Sequence, residues 1–289
     1  MKKIFFLFIA SAIVFSCSKE KTKEIDTPNK GQITIETDES FKSVTEALVE
    51  RYTSLNPDTK INLVVKKEDL GLLDLLDKKA RVVVMSRELS TEEKQAYDTK
   101  INLPWQPAKF AADAVLFVVP KNSPLESISV ETIYNELNSD KRKLIFDGTN
   151  SSNLNFIAQK FNKKPSELKF SIINGNENVA EQLANYPDKI GVISYNTISR
   201  PFGEEAQKLR NQLKILKVVK DNMTYDVSLA NLKDMRYPFT RVLYFLTNEA
   251  YYGLGNGFIR FSCQQLGQIV VEKEGLQPYN MFKREVQMR

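Results

Sequence analysis

The sequence predicts an α/β protein of two lobes, with mainly parallel sheets flanked by helices and two long strands crossing between the lobes. Three observations predict it. From Gly31 onward, short apolar runs alternate with amphipathic segments, the pattern of β–α–β units. Buried-looking runs such as Arg81-Val82-Val83-Val84-Met85 lack polar alternation, as strands covered on both faces do. Two further runs stand out as long and apolar, residues 113–119 (DAVLFVV) and 241–247 (RVLYFLT), and these are the crossings.

Taken in order, residues 32–36 read as a strand. Phe41, Val44, Leu48, Tyr52 and Leu55 recur at helical spacing, so 40–56 reads as a helix stopped by Pro57. Residues 61–65 form a second strand, 70–76 a short helix and 81–85 a third strand. Ser90-Thr91-Glu92-Glu93 has capping-box spacing and opens another helix. The first long strand, 113–119, is closed by Pro120. A second set follows, with helices at 130–137, 152–161 and 179–185 and strands at 144–146, 169–173, 190–195 and 214–220. The second long strand at 241–247 and a closing helix at 258–272 complete the chain, and no internal repeat is evident.

Composition excludes whole classes of function. The chain has no histidine, which removes Ser-His-Asp and Cys-His nucleophiles and His-rich zinc sites together. With two cysteines it can build no Cys-based metal centre, and no carboxylate pair is signalled for acid–base catalysis. No enzyme, metal or cofactor is therefore expected. The formal charge is +5, and loss of Lys2 and Lys3 with a signal takes it to +3, too mild and too dispersed for nucleic acid. A small anionic ligand remains compatible.

The N-terminus is set apart. Met1-Lys2-Lys3 precedes an apolar run at residues 4–15, too short for a permanent span and apt for a secretory signal at 1–16. Val14-Phe15-Ser16-Cys17 resembles the lipobox of bacterial lipoproteins, which implies cleavage before Cys17 and its acylation. Residues 18–30 are charged and lack aromatics, so 17–30 reads as a lipidated tether. Cys263 is then left without a disulfide partner.

In such sheets ligands sit beyond the carboxyl ends of strands, where helix N-termini offer unpaired N–H groups and a positive dipole end. Three loops have that form. They are Thr37-Asp38-Glu39-Ser40-Phe41, Ser86-Arg87-Glu88-Leu89-Ser90, and the turn Asp147-Gly148-Thr149-Asn150-Ser151-Ser152-Asn153. Each alone reads as a helix cap or a surface charge; together they describe one cleft.

The chain resembles the phosphate-binding proteins of ABC-type phosphate importers, within the type II periplasmic binding protein fold. The carrying segments are ARVVVMSRELS at 80–90, DAVLFVVPKN at 113–122, IGVISY at 190–195 and YPFTRVLY at 237–244. The resemblance implies ligand contacts from Ser40, Phe41, Ser86 or Arg87, and Ser151, Ser152 and Asn153. It also shows departures. Asp147 stands where many members carry an arginine, Lys66-Lys67-Glu68-Asp69-Leu70 replaces a serine/glycine-rich loop, and Arg87 stands where some members place a carboxylate. A carboxylate at 147 is expected to repel a dianion, and Arg87 is expected to supply the missing guanidinium from the opposite lobe.

The resulting expectation is a monomeric, lipid-anchored, non-enzymatic binding protein for phosphate or a similar oxyanion, serving an ABC permease. Its first lobe would hold residues 31–116 and 243–289, its second 117–242. The alternative is a surface lipoprotein with a degenerate anion site, acting as a protein-interaction or sensory module.

Overall fold

The computed structural model describes residues 26–281. The signal, Cys17 and residues 17–25 of the tether lie outside the described residues. Strand β1 (Gly31–Thr37) runs parallel to β2 (Thr59–Val65) on one side and to β3 (Val82–Met85) on the other. Helix α1 (Lys42–Leu55) returns the chain between β1 and β2, burying Val44, Leu48 and Tyr52 as expected and Val49 besides, while Leu55, expected on the same face, is exposed. A single 3-10 turn at Glu39–Phe41 precedes it. Helix α2 (Glu68–Leu76) joins β2 to β3, and α3 (Thr91–Ile101) follows with the expected capping box at Ser90 and Glu93.

Strand β4 (Ala108–Pro120) starts earlier than its apolar core suggests and holds the molecule together. Its first half pairs antiparallel with the strand Thr240–Thr247, placing Arg241 opposite Asp113. Its second half pairs antiparallel with Ile190–Ser194, which runs parallel to Leu144–Phe146, itself parallel to Ser171–Ile172. Two parallel flanks are thus joined through an antiparallel centre in one ten-stranded sheet. The centre is antiparallel because the chain leaves the first flank along β4 and returns along Thr240–Thr247.

Helix α4 (Val130–Leu137) and helix α5 (Ser152–Lys160) belong to the second flank. Three apolar clusters cover the sheet. One includes Phe110 and Phe245, stacked at 4.2 Å, with Phe258 edge-on. A second lies on the other face of the first flank around Leu72, Tyr97 and Tyr244. The third fills the second flank with Phe117, Phe146, Ile157 and Phe239. Gly191 permits that packing, since a Cβ there would stand 3.0 Å from both Val118 and Val179.

Several elements depart from the periodicity reading: the helix Glu204–Gln212 has no counterpart in it, the helix expected at 179–185 spans Asn176–Gln182 with a 3-10 turn at Leu183–Asn185, and the strand expected at 169–173 is Ser171–Ile172. The expected strand at 214–220 splits at buried Leu216: Leu213–Ile215 pairs with β4, while Lys217–Lys220 joins a separate three-stranded sheet. The closing helix breaks at Gln264, whose backbone is extended, into Leu254–Cys263 and Gln265–Lys273. Gly267 lets the second helix approach the first, where a Cβ would meet the Phe261 carbonyl at 2.4 Å. Cys263 is half-buried, and desolvation pushes its thiol up to about 11, so it stays protonated. No helix among the described residues is long and apolar enough to cross a membrane.

Candidate functional site

The carboxyl ends of β1, β3 and Leu144–Phe146 bring the three loops to one place between the lobes. Ser40, Phe41, Ser151, Ser152 and Asn153 are fully buried there, and Ser86 nearly so. The lobes meet there through direct hydrogen bonds of their own side chains and backbone.

The first loop contributes Asp38, whose carboxylate accepts from the backbone of Ser40 at 3.0 Å as a helix cap. The same carboxylate accepts from the N–H of Glu68 at 2.9 Å, the first residue of α2. From the other lobe it accepts from Ser152, by its N–H at 3.2 Å and its hydroxyl at 3.1 Å. Ser40 presents its hydroxyl to the Asn176 amide at 3.1 Å and its carbonyl to the Ser194 hydroxyl at 2.8 Å.

The second loop is directed elsewhere. The N–H and hydroxyl of Ser86 both donate to one oxygen of Glu68, at 2.6 and 2.9 Å. The other Glu68 oxygen, Oε2, is buried without a hydrogen-bond partner. Burial, with the charge of Asp38 adding to it and Arg87 and Ser86 opposing, pushes the Glu68 carboxyl up to about 7. Arg87 is gripped by Asp69 and Glu93, each at 2.7 Å, with Glu68 at 3.5 Å. Burial acts to lower its pKa, but the carboxylates outweigh burial and raise it. Its guanidinium stays in its own lobe and reaches the second indirectly, through Asp69, which accepts from Asn155 at 2.8 Å, and through the Glu88 carbonyl, which accepts from Gln159 at 2.9 Å.

One cation between the loops is Arg241, at the start of the strand Thr240–Thr247. It is held by Asp113 at 2.8 Å, donates to Asn153 Oδ1 at 3.0 Å and reaches Ser152 Oγ at 3.5 Å. Its guanidinium lies 4.6 Å from the centre of the Phe41 ring. Asp113 is in turn fixed by the Ser194 hydroxyl and the Asn196 N–H, both at 2.9 Å.

In the third loop, Ser151 caps α5 and donates to Asp147 at 2.8 Å. Asp147 also accepts from Asn153 at 3.1 Å and Asn176 at 3.2 Å. Across the cleft, Lys67 donates to its carbonyl at 2.8 Å and to its carboxylate at 3.3 Å. Burial first, and then the charge of Asp38, raise the pKa of Asp147, while Lys67 and the hydrogen bonds oppose them. The two departures at 147 and in the loop 66–70 therefore belong together, because each neutralises the other.

Sequence reasoning did not single out Asp38, Lys67, Asp113, Asn176 or Arg241 as site residues. Arg241 carried a signal, a charge opening an otherwise apolar strand. Asp38 carried one as well, a capping residue before Ser40. Lys67 and Asn176 carried none, since their partners are 80 and 136 residues away.

A family model described as a PBP superfamily domain matches residues 22–265. The chain belongs to the PBP superfamily. Among PBP relatives, the phosphate-binding protein PstS of Borreliella burgdorferi is 22% identical over 298 residues, spanning 95% of this chain and 98% of that one. A solved structure described as a phosphate ABC transporter substrate-binding protein with bound phosphate, from Clostridium perfringens, superposes with a TM-score of 0.70 at 20% identity. It covers 86% of this chain and 100% of its own. An ABC-type phosphate transport receptor from Vibrio cholerae gives 0.63 at 16% identity, with 86% and 100% covered. At such identities the superpositions speak to the fold, which is the two-lobed type II periplasmic binding fold.

Proposed function

We propose that this chain is an extracytoplasmic solute-binding protein that captures phosphate or a similar oxyanion for an ABC importer, anchored by a lipid on Cys17. One observation carries the reading: the opening N–H groups of α2 and α5, the capped 3-10 turn and the Ser152 hydroxyl converge on a single oxyanion, the Asp38 carboxylate. That is the donor geometry for anions at helix starts. The ligands named for its PBP relatives support it. The protein acts by binding and lobe closure, without a chemical step. Ser40, Ser152 and the N–H of Glu68 would grip the ligand, with Asn153 and Arg241 behind them and Phe41 packed under the guanidinium. Ser151 and Ser86 would shape the loops through Asp147 and Glu68, and Arg87 would hold the second loop in place.

Isothermal titration with inorganic phosphate, sulfate and molybdate tests this. One-to-one binding of phosphate is the expected result. No binding of any of the three, by the wild type or by an Asp38→Gly variant, overturns the reading.

A second reading is favoured by Asp38 and Asp147, which place two carboxylates where a dianion would sit. On that reading the fold serves as a sensory or protein-interaction module with a degenerate anion site. Permease and ATPase genes beside its own would favour import; their absence would favour the module.

A further inference from the structure

The four bonds to Asp38 do not add up to a helix cap. A capping side chain satisfies N–H groups of its own helix, and only the Ser40 bond is of that kind. The other three come from residues 30 and 114 positions away, and two of those three come from the opposite lobe. Two of the donors are the first N–H groups of nine-residue helices, which have no partner within their helices. Asp38 is itself almost wholly buried.

We propose that Asp38 is an internal ligand: a carboxylate carried by the chain that takes the place of the captured oxyanion, holds the lobes closed without solute, and must be displaced before an external anion binds. The proposal rests on reading the cleft as an oxyanion site. Three features besides the donor set support it. The lobes are latched by the chain's own groups, with Lys67 on Asp147, Asn155 on Asp69, and Gln159 exchanging two bonds with the backbone of Glu88. Arg241 is engaged by Asp113 and Asn153 and forms no ion pair with Asp38. Glu68 and Asp147 stand close enough to Asp38 to feel its charge, so a dianion sharing the cradle with Asp38 would meet like-charge repulsion.

A tethered carboxylate competes at the high effective concentration of an intramolecular group. The wild type should therefore be a weak binder and a fast releaser, and its closed shape should not report that solute is bound.

The test uses the full chain as wild type, Asp38→Gly and Asp38→Asn, each first shown to melt cooperatively with a wild-type circular dichroism spectrum. Small-angle scattering without solute is expected to find the wild type compact and unchanged by inorganic phosphate. Asp38→Gly should be expanded without phosphate and compact with it. Equal radii for the wild type and Asp38→Gly without phosphate overturn the proposal. In calorimetry Asp38→Gly should bind inorganic phosphate at least about tenfold more tightly than wild type, with Asp38→Asn, which keeps the shape and loses the charge, in between. Equal affinities also overturn it. If Asp38→Gly opens but no form binds phosphate, sulfate or molybdate, the internal ligand stands and oxyanion capture falls.

Discussion

Glu68 is the residue whose chemistry depends most on where the fold puts it. It is fully buried, half-satisfied by Ser86, and close enough to Asp38 to feel its charge. Its carboxyl rises from 4.5 to about 7, so the folded state keeps a proton that the unfolded chain releases. The contribution is stabilising below pH 4.5, falls as pH rises through 7, and has the magnitude of about 3 kcal/mol across that window. Glu39 and Asp147, also raised chiefly by burial, tilt stability the same way. Melting temperatures between pH 5 and 8 should therefore decline for the wild type and decline less for Glu68→Gln. An identical slope in the two proteins would mean that burial of Glu68 does not control it.

At the scale of an element, helix α5 shows how one residue type serves two ends. Ser151 accepts from Leu154 N–H as its cap and donates to buried Asp147. Ser152 behind it opens the helix toward Asp38, and Leu154, Ile157 and Ala158 bury the far face. The helix is nine residues long, too short to be stable by propensity, so packing and caps position its N-terminus. Ser151→Ala should cost about 2 kcal/mol in urea denaturation, about half from the lost cap and the rest from Asp147 losing a donor. A cost confined to a few tenths would show that the cap is not what holds this helix end.

Over the whole molecule, bonds that cross between the lobes hold them together, and the Lys67–Asp147 ion pair is one of them. Lys67 is one-quarter exposed, while its partner Asp147 has no exposure at all. Removing one member of a buried pair strands the other's charge, at about 3–5 kcal/mol when both are buried. Partial exposure of Lys67 reduces that to about 2 kcal/mol. Lys67→Met should lose this much in thermal unfolding, and adding Asp147→Asn should recover most of it. Additive losses in the double variant would show that the two residues do not act as a pair.

Much of the architecture was legible because it is written locally. Apolar runs without alternation marked β3, helical spacing marked α1, the capping box marked α3, and two long strands marked the passage between lobes. The helix Glu204–Gln212 was missed, and the breaks at Leu216 and Gln264 fell where local pattern is silent, since whether a run continues depends on which neighbour it meets. The three loops were placed in one cleft by sequence reasoning, and the structure does bring Ser40, Phe41, Ser151, Ser152 and Asn153 together there. Ser86 and Arg87 point into a carboxylate cluster of their own lobe. What tertiary structure alone decided is the electrostatics of the cleft: that Lys67 neutralises Asp147, that Asp113 holds Arg241, and that Asp38 accepts from Ser40, Glu68 and Ser152 at once. The two ion pairs join residues 80 and 128 positions apart, and Asp38 and Ser152 are 114 apart. Local sequence carries period and turn chemistry, but a charge pair exists only once two distant loops have been carried into contact and water has been excluded from between them.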